Sequence, residues 1–106
     1  MESLTGKTIR WVFDEGPMAG VHIEHVFDAD GSVTWRMADG PDQGASRREI
    51  SYGAAKLNAE TWIVSYLAAS GHTLTVALSM TDGHAIGFAS DNTSWSQARG
   101  RFEILP

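Results

Sequence analysis

The chain contains no cysteine, so disulfides, thiolate metal sites and cysteine nucleophiles are excluded. Nowhere do the roughly 18–20 apolar residues of a membrane-spanning helix run together, and no membrane association is expected. Basic residues are scarce: 8 Lys and Arg face 13 Asp and Glu, a formal net charge of −5. That balance repels a phosphate backbone unless cations cluster, and Arg47-Arg48 is the only adjacent pair, so no nucleic-acid partner is expected. The opening MESLTGKTIRW lacks the basic segment and apolar stretch of a secretory leader, which predicts a soluble, cytoplasmic protein. No convincing helix periodicity occurs.

Two-residue alternation is what the chain has instead, and it is densest from Glu60 to Met80. Trp62, Val64 and Tyr66 recur on one side of Ala-Ser-Gly, and Leu74, Val76, Leu78 and Met80 on the other, the pattern of a half-buried hairpin. Seven large side chains on one face, each contributing roughly 1.5–3 kcal/mol on burial, make this hairpin the expected centre of the core. Ile9, Trp11 and Phe13 alternate before the turn cluster Glu15-Gly16-Pro17. Val21, Ile23, His25 and Phe27 follow, then an Asp-Gly turn at Asp30-Gly31, then Val33, Trp35 and Met37. After the polar loop 38–46, Arg48, Ile50 and Tyr52 restart the alternation in a fourth strand, with Arg47 pointing away. His84, Ile86 and Phe88 form the inward face after Thr81-Asp82-Gly83, and Gln97 to Leu105 is the last strand. Gly87, inside a strand, marks an expected bend or bulge. Eight short strands at even spacing predict an all-β fold: a small, antiparallel, up-and-down eight-stranded barrel, one domain over 1–106.

Few residues carry chemistry. His22, Glu24 and His25 suggest a metal cluster, but 22 and 25 lie on opposite faces of a strand and cannot chelate one ion together. Asp28-Ala29-Asp30-Gly31 begins like a calcium loop without the later ligands, and Asn92-Thr93-Ser94 is a formal glycosylation sequon. No metal or cofactor is expected. His25, between Ile23 and Phe27, is inward and must find a partner or face a cavity; His84 is read the same way. Glu60 is the one carboxylate in phase with Trp62 and Tyr66. Arg48 at a barrel mouth would suit a carboxylate or phenolate. The aromatic set Trp11, Phe13, Trp35, Trp62 and Tyr66 suits either a packed core or a pocket for a flat ligand.

The stretches Gly6-Lys7-Thr8-Ile9-Arg10-Trp11-Val12-Phe13-Asp14-Glu15-Gly16, Gly31-Ser32-Val33-Thr34-Trp35-Arg36-Met37, and Val64-Ser65-Tyr66 with Gly71 span most of the chain. In order and spacing they resemble the calycin-like barrels that include phenolic acid decarboxylases and the MoaF-like (molybdenum cofactor biosynthesis protein F-like) domain. The decarboxylase resemblance implies a tyrosine pair, an arginine and a glutamate. Here the tyrosine positions hold Trp11 and Phe13, the glutamate position holds Ala68, and only the arginine has a counterpart in Arg47 or Arg48, so decarboxylation is not implied. The MoaF-like domain is the closer resemblance.

Three readings follow. The leading one is a barrel binding a small aromatic or carboxylated metabolite, with Trp11, Phe13, Ile23, His25, Trp35, Trp62, Tyr66 and His84 around the pocket and Arg48 near its mouth. The second is a lyase or isomerase acting on an aromatic acid, with His25 or Glu60 as acid or base. The third is a filled barrel that homodimerises through an outer face carrying Val12, Val26 and Ile63.

Overall fold

The computed structural model describes residues 3–16 and 18–106; Pro17 of the first turn cluster lies outside them. Among the described residues nine antiparallel strands form one sheet: β1 (Thr8–Phe13), β2 (His22–Phe27), β3 (Val33–Met37), β4 (Ser46–Glu49), β5 (Gly53–Asn58), β6 (Thr61–Leu67), β7 (Thr73–Ser79), β8 (His84–Ser90) and β9 (Trp95–Leu105). The described residues include no helix, and so none long and apolar enough to cross a membrane.

Strand order is β4-β3-β2-β1-β9-β8-β7-β6-β5. Every neighbour is the next strand in sequence except at the centre, where β1 and β9 pair from Thr8↔Leu105 to Phe13↔Gly100. The sheet curls on itself: His25 on β2 reaches Tyr66 on β6 with a 2.7 Å hydrogen bond, although four strands separate the two in the sheet. The two edge strands, β4 and β5, are consecutive in sequence and share no ladder. Only Ile50-Ser51-Tyr52 joins them, so the expected closed eight-stranded barrel is an antiparallel half-barrel with one seam. The expected fourth strand is thereby split in two.

The hairpin at the centre of the sequence reading is present. Trp62↔Leu78, Val64↔Val76 and Tyr66↔Leu74 face each other across β6 and β7. At one end of the barrel Leu4, Ile9, Phe27, Val33, Val64, Val76 and Leu78 are each at most 2 % exposed, and the Tyr52 ring packs edge-on against Phe27 at 4.9 Å. Leu4 is held there by a turn in which the Gly6 N–H donates to the Phe27 carbonyl at 2.6 Å.

Gly87 does not mark a bulge, for the ladders on both sides of β8 run through it without a register shift. It makes room instead: a Cβ there would lie 3.3 Å from the Phe13 ring and from a Val76 methyl. Among the described residues, the ladders shift register between Lys56 and Asn58 on β5.

Candidate functional site

Away from the packed end the barrel encloses a cavity of about 560 Å³, inside the roughly 300–1,000 Å³ range of small-molecule sites. One side of its lining is aromatic, from Trp11 and Phe13 on β1, His25 on β2 and Trp35 on β3; next to it in the sheet, β9 and β8 contribute only small residues, Ser96 and Ala98, Gly87 and Ala89. Ile23, Tyr66 and Leu74 complete the interior. Strand alternation supplies both parts of the lining, because Gly87 and Ala89 lie opposite Val76 and Leu74 and share their inward face.

His25 borders the cavity from a fully enclosed position, 1 % exposed. Its Nε2 pairs with the Tyr66 hydroxyl at 2.7 Å, its ring lies 4.1 Å from that of Trp11, and its Nδ1 has no hydrogen-bond partner. Burial pushes its pKa down to about 3, so the imidazole is neutral at physiological pH. Burial, and then the nearby charge of Glu49, push the Tyr66 phenol up. The Trp11 indole N–H is likewise buried without a partner.

Glu49 is the residue that sequence reasoning missed. It borders the cavity at 2 % exposure, accepting from the Trp35 indole N–H at 3.0 Å and the Ala69 backbone N–H at 3.2 Å. Cross-strand register explains this: Val33 and Trp35 face inward and lie opposite Glu49 and Arg47, so Glu49 and Arg47 share their face. Counting back by two from Tyr52 fails because the chain turns at Ile50, which is 92 % exposed.

Four sequence candidates are therefore elsewhere. Arg48 points outward and pairs with Asp30 and Ser32 beside the β2–β3 turn; it is Arg47 that borders the cavity. Trp62 belongs to the packed end, beside a second cavity of about 270 Å³ shared with Leu4 and Tyr52. His84 is exposed and pairs with Asp82 at 3.1 Å, since the small residues of β8, not the bulky ones, face in. Glu60 is exposed in the β5–β6 turn. Trp11, Phe13, Ile23, His25, Trp35 and Tyr66 do come together around one space.

The polar clusters considered for metals have other partners. Glu24 sits between Arg10 and Arg36, each 2.6 Å away, and is held below the usual carboxylate range by Arg36 and then Arg10. His22 pairs with Asp39 at 2.7 Å. Asp30 accepts from Ser32 and Arg48. Among the described residues no group of three His, Asp or Glu side chains is arranged to hold a metal ion.

The MoaF N-terminal domain family model matches residues 1–95. A crystal structure from Burkholderia vietnamiensis, described as that of a "putative beta-lactamase", superposes with a TM-score of 0.79 at 19% identity, covering 96% of this chain and 95% of that one. At that identity the likeness shows the fold alone. No curated protein matches the chain.

Proposed function

Starting from the fact that the chain belongs to the MoaF N-terminal domain family, we propose that it binds a small, flat, aromatic metabolite in the interior of its half-barrel. The observation that carries this reading is the asymmetry of the cavity. Aromatic rings on β1 to β3 border the same space as Gly87, Ala89, Ser96 and Ala98 on β8 and β9, whose small side chains leave that space open where bulky ones would fill it. Stacking against indole and phenol rings adds about 0.5–1.5 kcal/mol per ring pair to the area buried. Of the aromatic and carboxylated ligands expected from the sequence, the walls favour the aromatic.

The test is a fluorescence titration with 2-phenylethanol, alone and against Ala89→Phe, which places a ring in that space. The expected result is a saturable change in tryptophan emission that Ala89→Phe abolishes while the variant keeps a cooperative melt. An unchanged signal in the wild-type protein, or a change that survives in Ala89→Phe, contradicts the proposal.

A second reading, a lyase or isomerase using His25, is favoured by one observation: the unpartnered Nδ1 of an imidazole bordering the cavity. A group that stays neutral down to about pH 3 is a weak base, which places this reading second. Filling as the basis of a dimerising module does not fit a barrel with an internal cavity of this size.

A further inference from the structure

Glu49 is the only carboxyl group among the described residues bordering the cavity, and no cationic side chain pairs with it. Buried charges are ordinarily paired or bound to metals, because an uncompensated charge away from water is costly. Both partners of Glu49 are neutral, the Trp35 indole and the Ala69 amide. A carboxylate offers about four lone-pair positions, so acceptor capacity remains. The eight ion pairs among the described residues all use other acids.

The remaining titratable groups around the cavity do not supply the missing cation. His25 is neutral and so is the Tyr66 phenol. His72, at the exposed rim, faces Ser70 and Asp91. Arg47 is exposed and in no ion pair with Glu49. No group of three metal-binding side chains occurs among the described residues either, so the free acceptor positions of Glu49 are open to a donor on the ligand.

We infer that the cavity takes an aromatic amine, whose ammonium group pairs with Glu49 while its ring lies against Trp11, Trp35 and Tyr66. The inference rests on the small-molecule reading above and adds the chemistry of the head group. Trp35 serves it twice: its N–H holds the carboxylate in place, and an indole face attracts a cation brought beside it. A carboxylate ligand would meet like charge at Glu49 and find its counter-charge in Arg47, which borders the cavity from an exposed position where water and salt weaken the pairing.

Calorimetric titration of the wild-type protein at pH 7 with three ligands that share a phenyl ring tests this. The ligands are 2-phenylethylamine, 2-phenylethanol and 3-phenylpropionate. The amine is expected to bind about tenfold or more tightly than the alcohol, the margin of a charge-assisted hydrogen bond, with the carboxylate weakest. Glu49→Gln, which keeps the shape of the side chain, is expected to remove the amine's advantage, so that amine and alcohol bind with affinities within about threefold of each other. Alcohol or carboxylate binding as tightly as the amine overturns the inference while leaving the small-molecule reading standing. So does an amine preference that survives in folded Glu49→Gln. Should the variant fail to fold, the wild-type ranking decides alone. Binding of none of the three overturns both.

Discussion

The two ends of the barrel are built by the same alternation of side chains and differ in what that alternation delivers inward. At the packed end large aliphatic and aromatic groups meet from all sides: Phe27 and Ile9 are fully buried, and Val64, Val76 and Leu78 close on them. At the open end the aromatic residues of β1 to β3 meet Gly87, Ala89 and Ala98 instead. A pocket therefore arises here because small residues occupy the inward positions of two strands. Hydrophobic burial stabilises the first end, and unsatisfied polar atoms collect at the second, where Trp11 Nε1 and His25 Nδ1 lack partners. If the cavity is the binding site proposed above, stability and binding belong to different ends, and substitutions should separate them.

The largest effect is expected at the packed end. Phe27→Ala should destabilise the protein by about 3–5 kcal/mol and leave the affinity of the folded fraction for 2-phenylethanol unchanged. Leu74→Ala, half-buried beside the cavity, should cost about 1 kcal/mol, below the range for fully buried leucines, and alter that affinity. Urea melts and titrations of both variants check this; equal stability losses, or binding changed only by Phe27→Ala, would break the division.

A smaller, pH-dependent effect is expected from His25. The unfolded imidazole titrates near 6.5 and the folded one near 3. Below 6.5 the unfolded chain takes up a proton that the folded chain refuses. Its stabilising contribution is therefore complete above pH 6.5 and is lost as pH falls toward 3, by about 1.4 kcal/mol per pH unit. Between pH 6.5 and about 5 the carboxylates, whose ordinary range is near 4, contribute little. Urea melts across this window should show the slope in the wild-type protein, and His25→Phe should remove one proton's worth of it. An identical slope in the variant would show that His25 is not enclosed as described.

Fold and site were legible to different depths in the sequence. In β1, β3, β6 and β7 the bulky face of the alternation is the buried one, and in β2 His25 and Phe27 follow it although Glu24 on the other face is buried too, so Trp11, His25, Trp35 and Tyr66 could be placed on the interior side. In β8 the rule that the bulky face turns inward fails. The Phe13 ring already occupies the space beside Gly87, so Ala85, Gly87 and Ala89 turn in and leave His84 exposed. Arg48 was misplaced for a different reason: the turn at Ile50 resets the alternation between Glu49 and Tyr52, and only the pairing of β3 with β4 shows which arginine faces in. Glu49 itself had a signal, since it stands two residues after Arg47 on a strand opposite Trp35, but that signal requires a register that one strand read alone does not contain. Trp62 faces inward as expected, yet alternation says nothing of depth along the barrel, and depth puts it among the packed residues.

The four tryptophans provide the most direct test of the division, because each occupies a different setting. Trp11 and Trp35 border the main cavity, Trp62 lies at the packed end, and Trp95 is 70% exposed on the outside against Phe88. In a two-dimensional ¹H–¹⁵N spectrum each indole N–H gives its own peak, and 2-phenylethylamine can be titrated against all four at once. Saturable shifts of the Trp11 and Trp35 peaks, with those of Trp62 and Trp95 staying in place, are the predicted result. Shifts confined to Trp62 or Trp95, or four peaks that do not move, would contradict a ligand-binding interior at the open end.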